Sequence, residues 1–225
     1  MKRVPIKYSH FHLIQNSIYL AMFSLIVNVS SLSAEALSSI AYQKIAPGVR
    51  FFSEVLTKIP ARVFVAEIEL NNPHLSIQSL LAQDHLPGLE RCSSILKRQP
   101  ESLGEPVVAI NGDFFNANGH SVNAQIIFGE LVKRPHYRSV FALSHDRRPY
   151  IGKLIYDGFL VRGKNKIQIS GINEQRREND LILYNKYFGP VTRTNRWGSE
   201  AILNLLEGKS AVNRPFKALV QSLII

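Results

Sequence analysis

The sequence predicts an α+β fold in which mixed and antiparallel β-sheet dominates and helices are few. Short apolar runs of strand length recur along the chain, and most are separated by Gly, Pro, Asn or Asp residues that favour turns. Only one segment, residues 89–97, places apolar residues at helical spacing. A chain of 225 residues with 45% hydrophobic content can bury the core of one domain. We therefore expect a single, sheet-dominated domain.

The first 36 residues have the three-part plan of a secretory signal peptide. Basic residues at the start are followed by an apolar run over 18–27 and by Ala34-Glu35-Ala36, where cleavage is favoured after Ala36. The apolar run is shorter than the roughly 20 residues that a membrane helix needs. We expect an exported protein without a stable membrane span after cleavage, secreted or periplasmic in a bacterial envelope. A retained amphipathic anchor is the alternative.

The remaining domain, residues 37–225, divides into short elements. The predicted helix covers 89–97, and Cys92 within it, the only cysteine, cannot form an internal disulfide. The predicted strands, in chain order, are 50–52, 62–70, 75–81, 107–110, a hairpin over 124–132 folded at 128–130, 139–144, 149–154, two short strands punctuated by turns at 157–158 and 163–165, 181–184 and 201–206.

One apolar run leads directly into polar side chains. Val107 to Ile110 is a continuous run typical of a strand buried on both faces, and Asn111-Gly112-Asp113 follows at once. An Asn-Gly pair readily adopts positive φ and bends the chain. Two interpretations stay open: a site at the carboxyl end of a strand, or an ordinary turn in which Asn111 and Asp113 cap backbone groups.

Charge and composition narrow the classes of partner. The net charge of +10 favours anionic partners such as phosphates or acidic glycans. No nucleic-acid-binding module is recognisable, so we expect no nucleic-acid partner. The histidines lack metal-ligand spacing, so we expect no zinc site and no cofactor. A carboxylate-bound calcium ion is compatible with the sequence, although no motif specifies one.

Two polar segments precede later apolar runs, as loops mounted on strand ends do. They cover residues 171–180 and 192–200 and contain four arginines with Thr and Asn side chains. The planar guanidinium fork suits phosphate because it donates two parallel, charge-assisted hydrogen bonds. These loops would suit a phosphate-bearing sugar, or they are simply solvated loops.

Taken in order, these blocks resemble the phosphodiester glycosidase family, whose known activity removes N-acetylglucosamine from a phosphodiester. The similarity spans about 155 residues. The matching blocks are Ala46-Pro47-Gly48-Val49, residues 111–115, Phe128-Gly129, the strand pair around Asp146, residues 173–176, Leu183-Tyr184, Phe188-Gly189 and residues 192–200.

The resemblance implies an exported hydrolase of sugar-1-phosphodiester bonds, with a carbohydrate or sugar-phosphate substrate from exopolysaccharide or envelope glycans. We expect Glu200 or Asp113 to act as the catalytic carboxylate, and Asn111 to be a catalytic residue that orients the substrate. The residues expected to contact the phosphate and the sugar are Arg176, Arg193, Asn173, Thr194 and Asn195.

The chain departs from the family pattern after Glu207-Gly208. The family continues with an Arg-Thr pair, an Asp-Gly-Arg block and a terminal Asp-Gly-Gly-Gly-Ser block, none of which occurs here. We therefore expect the N-terminal part of the domain, truncated before these blocks. The alternative function is a non-catalytic remnant that binds glycan or phosphate.

Overall fold

The computed structural model describes the backbone of residues 4–8, 41–208 and 210–225, and side chains from residue 41 onward. These residues form two compact units, one containing 77–104 and 109–225 with the strand at 4–8, the other containing 41–76 and 105–108. The strands are β1 (Val4–Tyr8), β2 (Gln43–Ala46), β3 (Val49–Leu56), β4 (Ala61–Ile68), β5 (Gln125–Ile127), β6 (Glu130–Lys133), β7 (Val140–Leu143), β8 (Pro149–Gly152), β9 (Gly158–Arg162), β10 (Asn165–Gln168), β11 (Gly171–Ile172), β12 (Ile182–Leu183), β13 (Glu200–Glu207) and β14 (Phe216–Ile224).

The smaller unit is a three-stranded antiparallel sheet in the order β2-β3-β4. The tight turn between β2 and β3 depends on Gly48, whose φ of 77° favours glycine. A side chain there would also collide with Asn72, whose amide donates a hydrogen bond to the Pro47 carbonyl (3.3 Å). Local backbone chemistry therefore sets the register of this sheet.

The larger unit contains a five-stranded sheet in the order β10-β9-β1-β14-β13, in which every pair is antiparallel. Two separate hairpins, β5–β6 and β7–β8, and one short parallel pair, β11–β12, complete its strands. Helix α1 (Cys92–Lys97) and three short 3₁₀ turns are the described helical segments.

The β5–β6 hairpin lies between two clusters of buried side chains. Leu131 of β6 belongs to a cluster with Ile169, Ile172, Phe216 and Ala218. The next residue, Val132, belongs to a second cluster with Leu81, Leu86, Ile127 and Tyr187. Successive side chains of a strand point to opposite faces, so this hairpin is covered on both sides. The polar residues that follow Val132 are therefore held close to the core.

The predicted fold class is confirmed, because antiparallel strands dominate and helix is scarce. Strand β4, the β5–β6 hairpin, the β7–β8 hairpin and the strands β9 and β10 all occur where the sequence predicts them. The predicted helix is also present, although it begins at Cys92 rather than at residue 89. The hairpins among these elements have strong local turn signals, whereas helix α1 begins after Arg91 without a side-chain capping hydrogen bond.

Two predicted strands are absent, and one long strand was not predicted. Val107 to Ile110 forms no strand, and Ile110 is 83% exposed, because no described strand offers this segment hydrogen-bond partners. Residues 75–81 are also irregular rather than a strand. Strand β14 was not predicted, yet it pairs with β13 along most of its length. The predicted division at residue 36 falls largely on residues 9–40, which lie outside the described part of the chain.

Among the described residues, no helix is both long enough and apolar enough to cross a membrane.

Candidate functional site

Glu200 is the first residue of β13, and two threonine hydroxyls hold its carboxylate. Thr192 Oγ1 donates to Glu200 Oε1 at 2.9 Å, and the Thr194 hydroxyl donates to the same oxygen. Arg193 between them has a φ of 52°, in the left-handed region. Such a conformation costs a non-glycine residue about 1 kcal/mol or more, and the bonds from both neighbours to Glu200 offset that cost. The loop is built to fix one carboxylate.

Arg176 belongs to the loop after β11, and Asn195 anchors it to the loop that precedes Glu200. Its Nη2 donates to Asn195 Oδ1 at 2.6 Å and more weakly to the Asn195 carbonyl at 3.4 Å. Its Nε is buried and has no hydrogen-bond partner among the described residues. Gly198 lets the guanidinium pass, since a Cβ there would overlap Nη1. The sequence places Gly where the arginine requires open backbone.

Tyr184 connects these two groups. Its hydroxyl donates to the Glu174 carbonyl at 3.0 Å and also forms a hydrogen bond with the backbone of Arg176. Burial raises the pKa of Tyr184, and the negative charge of Glu200 raises it further, against the opposing charge of Arg176. The phenol therefore stays protonated and lies within electrostatic reach of both Glu200 and Arg176.

A pair of amides, buried Asn173 and half-buried Asn185, supports the loops that carry Glu174 and Tyr184. Asn173 has no exposed surface, and its Nδ2 donates to the Val132 carbonyl at 2.9 Å and to Asn185 Oδ1 at 2.7 Å. Asn185 returns a backbone N–H to Asn173 Oδ1 at 2.9 Å and donates its side chain to the Leu131 carbonyl at 3.1 Å. The φ of 50° at Asn173 is one that Asn tolerates. This amide pair joins β6 to the ends of β11 and β12.

Each asparagine of the pair is next to a residue of the site. Glu174 follows Asn173, and Tyr184 precedes Asn185. Glu174 accepts a hydrogen bond from Lys133 Nζ at 3.0 Å and forms an ion pair with Arg134 Nε. The predicted substrate-binding role of Asn173 stays a prediction, and the contacts show an amide committed to internal hydrogen bonds.

Asp113 and Asn111 lie in a different loop. Asp113 accepts hydrogen bonds from the backbone N–H groups of Phe114 (2.7 Å) and Asn123 (3.1 Å), so it caps its own turn as the alternative interpretation expects. Asn123 is itself buried. Its side-chain oxygen accepts from the His136 backbone N–H, and its side-chain amide donates to the Arg138 carbonyl. Asn111 is exposed, and within the described ranges its side chain has no hydrogen-bond partner.

The structure thus brings together four of the predicted site residues: Glu200, Thr194, Asn195 and Arg176. No contact among the described residues joins Asn111, Asp113 or Arg193 to Glu200, and Arg193 is exposed. Their predicted roles stay predictions.

The sequence analysis assigned no site role to Tyr184, Lys133, Arg134 or Thr192, although Thr192 belongs to the polar segment 192–200 and Tyr184 to one of the matching blocks. For Tyr184 and Lys133 the available signal was position, because each lies at the end of an apolar run. Groups of three or more potential metal ligands do not occur among residues 41–208 and 210–225.

Comparison of the chain with protein-family models, with curated proteins and with solved structures found no match.

Proposed function

We propose that this chain is an exported hydrolase that cleaves sugar-1-phosphodiester bonds, with Glu200 as its catalytic carboxylate. The fixed carboxylate is the observation that carries the proposal. Both threonines bind Oε1, and Oε2 has no hydrogen-bond partner in the described part of the chain. One carboxylate oxygen is therefore held while the other is free to act. The resemblance of the surrounding blocks to phosphodiester glycosidases supplies the substrate class.

The proposed reaction adds water across the bond between the anomeric carbon and a phosphate oxygen. The electron pair of that bond leaves with the phosphomonoester, while the sugar receives the hydroxyl of the attacking water. A phosphomonoester is a much better leaving group than a sugar hydroxyl, so little general-acid assistance is required. A carboxylate is required to stabilise the oxocarbenium-like carbon or to take a proton from water, and we assign that role to Glu200.

The cation and phenol near Glu200 fit the other needs of this chemistry. Arg176 provides a fixed positive charge that stabilises negative charge developing on the departing phosphate. Asn195 orients Arg176 through the 2.6 Å hydrogen bond. Tyr184, protonated because burial and Glu200 raise its pKa, is a hydrogen-bond donor beside the site. Exposed Arg193 would add a second contact to phosphate.

A non-catalytic remnant that binds glycan or phosphate is the second candidate. The observation that favours it is the separate placement of Asn111 and Asp113, which form a capped turn of their own. In this case the Arg176 region binds an anion and no bond is cleaved.

Turnover of a chromogenic sugar phosphodiester by the Glu200→Gln variant separates the two functions. Glutamine keeps an oxygen for both threonines but cannot act as a base or nucleophile, so kcat should fall by about 10² to 10⁴. Glu178→Gln is the matched control, because Glu178 is an exposed residue of the neighbouring polar loop.

Equal turnover by the Glu200→Gln variant and the wild type would rule out the catalytic role of Glu200. Absence of turnover in the wild-type protein itself, folded by circular dichroism, would favour the binding remnant.

A further inference from the structure

Lys133 and Arg134 form a cationic cluster around Glu174 that the proposed reaction does not yet use. Lys133 Nζ binds Glu174 Oε2 at 3.0 Å, and Arg134 Nε binds Glu174 Oε1. The side chains are 14% exposed for Lys133, 37% for Arg134 and 21% for Glu174. Two cations therefore share one carboxylate in a half-buried position, where charge is screened less than at the surface.

Glu130, the carboxylate on β6, does not balance the remaining positive charge of Lys133 and Arg134. Glu130 is paired with Lys186, with Nζ 3.1 Å from Oε2. The cluster of Lys133, Arg134 and Glu174 keeps a net charge of about +1 by this count of ionised groups.

The cluster also has more donors than acceptors. Arginine carries five N–H donors and lysine three, whereas Glu174 takes one nitrogen from each. With Nε of Arg134 bound to Glu174, the outer edge of the guanidinium has no hydrogen-bond partner among the described residues. That edge offers two parallel donors, the geometry that suits a phosphate group.

The pKa of His120 is influenced by the same positive charge. Burial lowers the pKa of His120, the charge of Lys133 lowers it further, and Glu174 opposes the shift. Its ring lies 6.3 Å from that of Phe188, which in turn lies 4.8 Å from Tyr184. The groups that face His120 are thus Lys133 from β6, Glu174 from the loop after β11 and the Phe188 ring. At neutral pH His120 adds no positive charge that would compete for Glu174.

The cluster is connected to the Glu200 region through Tyr184. The Tyr184 hydroxyl donates to the Glu174 carbonyl, and the charge of Glu200 acts on that same phenol. A substrate whose anomeric carbon lies at Glu200 would extend toward positive charge on this side.

We propose that Lys133 and Arg134, both paired with Glu174, bind the phosphoryl group of the substrate. The proposal rests on the proposed function for the identity of the substrate, and it adds these two cations to the phosphate contacts already proposed for Arg176 and Arg193. Glu174 forms ion pairs with both cations and lowers their combined charge, so that phosphate can be released after cleavage.

Binding of inorganic phosphate to the full chain at low ionic strength, followed by calorimetry and by the rise in Tm, tests the site without turnover. Arg134→Gln should weaken phosphate binding at least about tenfold, because a charge-assisted pair of donors is lost. Glu174→Gln should bind phosphate at least as tightly as the wild type, because it removes the competing negative charge and leaves both cations. Arg162→Gln is the control, since it makes the same charge change at an exposed position at the end of β9.

Equal weakening by Arg134→Gln and Arg162→Gln would overturn the proposal, as would loss of phosphate binding in Glu174→Gln with an unchanged circular dichroism spectrum. Absence of phosphate binding in the wild type would overturn it too.

The Glu200→Gln variant should bind phosphate like the wild type, so failure of the catalytic proposal is seen separately. In an active wild type, Arg134→Gln should raise KM for the phosphodiester more than it lowers kcat. A wild-type KM in that variant would contradict the subsite.

Discussion

At the scale of single residues, His120 shows how surroundings set a titration. Its side chain is half-buried against Phe188, and Lys133 adds positive charge nearby, so protonation costs more in the folded chain than in the unfolded one. A histidine whose folded pKa is lowered is neutral in the folded state at pH values where the unfolded chain already binds a proton. Its linkage therefore favours unfolding as pH falls below the ordinary value of about 6.5.

The His120→Gln variant should lose less stability on acidification than the wild type does. Glutamine cannot take up a proton, so the contribution linked to His120 disappears while other titrating groups remain. The measurement is Tm at about pH 7.5 and about pH 5.5 for both proteins, a range that brackets the unfolded histidine pKa. His74→Gln is the control, because His74 is exposed. An equal loss of Tm in the wild type and His120→Gln would contradict the lowered pKa.

At the scale of elements, the Asn173–Asn185 pair joins pieces that are distant along the chain. The carbonyls of Leu131 and Val132 on β6 accept from these two side chains. Asn185 also caps the 3₁₀ turn Lys186–Phe188 by accepting from the Tyr187 N–H at 3.2 Å. A two-residue parallel pair such as β11–β12 has few hydrogen bonds of its own. The hydrogen bonds of the two amides therefore help to hold the neighbouring residues Glu174 and Tyr184 in position.

Asn185→Ala should destabilise the larger unit by about 2 to 3 kcal/mol, since it leaves buried partners on β6 and Asn173 without their hydrogen bonds. Urea unfolding measures the change. Asn204→Ala on β13 is the matched control, because Asn204 is exposed, and it should change stability by less than about 0.5 kcal/mol. A similar effect of the two substitutions would show that the amide pair is not structural.

The elements that sequence reasoning predicts best are those with their own turns. Phe128-Gly129 closes the β5–β6 hairpin, and residues 144–148 close β7–β8, because these backbone conformations are chosen locally. Burial of Val107 to Ile110 required neighbours that the described part of the chain does not supply, so apolar content alone misled the prediction. Strand β14 was missed although the turn-favouring residues Gly208, Asn213 and Pro215 precede it, and its pairing with β13 is what identifies it as a strand.

The candidate site also contains residues that could be predicted from local sequence and residues that could not. Thr194 and Asn195 lie in the loop that leads into Glu200, and the grouping of these three residues could be predicted from a single sequence block. Lys133 and Tyr184 come from other elements, and only the buried contacts between β6, β11 and β12 bring them near Glu174. Their meeting could not be predicted without the topology.

At the scale of the whole molecule, β1 determines whether the larger sheet is continuous. Its residues Val4 to Ile6 lie opposite β14, and Ile6 to Tyr8 lie opposite β9. Strands β9 and β14 are not neighbours in the sheet order, so β1 is the connection between β10-β9 and β14-β13. Pro5 cannot donate a backbone hydrogen bond, which limits the strength of this connection.

A chain that begins at Leu37, the residue after the predicted cleavage position, should therefore unfold at least about 5 °C below the full chain, because β9 and β14 each lose a paired edge. Thermal unfolding of both chains is the measurement, and a synthetic peptide of residues 1–13 added to the shorter chain should recover part of the difference. A scrambled peptide of the same composition is the control. Equal Tm values for the two chains would show that β1 contributes nothing to stability.

The position of β1 also sets two events in competition during biogenesis. If a signal peptidase cuts after Ala36, the enzyme must reach the chain before Val4–Tyr8 is paired, or the severed peptide stays bound as a separate strand. The order of processing and folding would then decide which of two products forms, an open sheet or a two-chain complex.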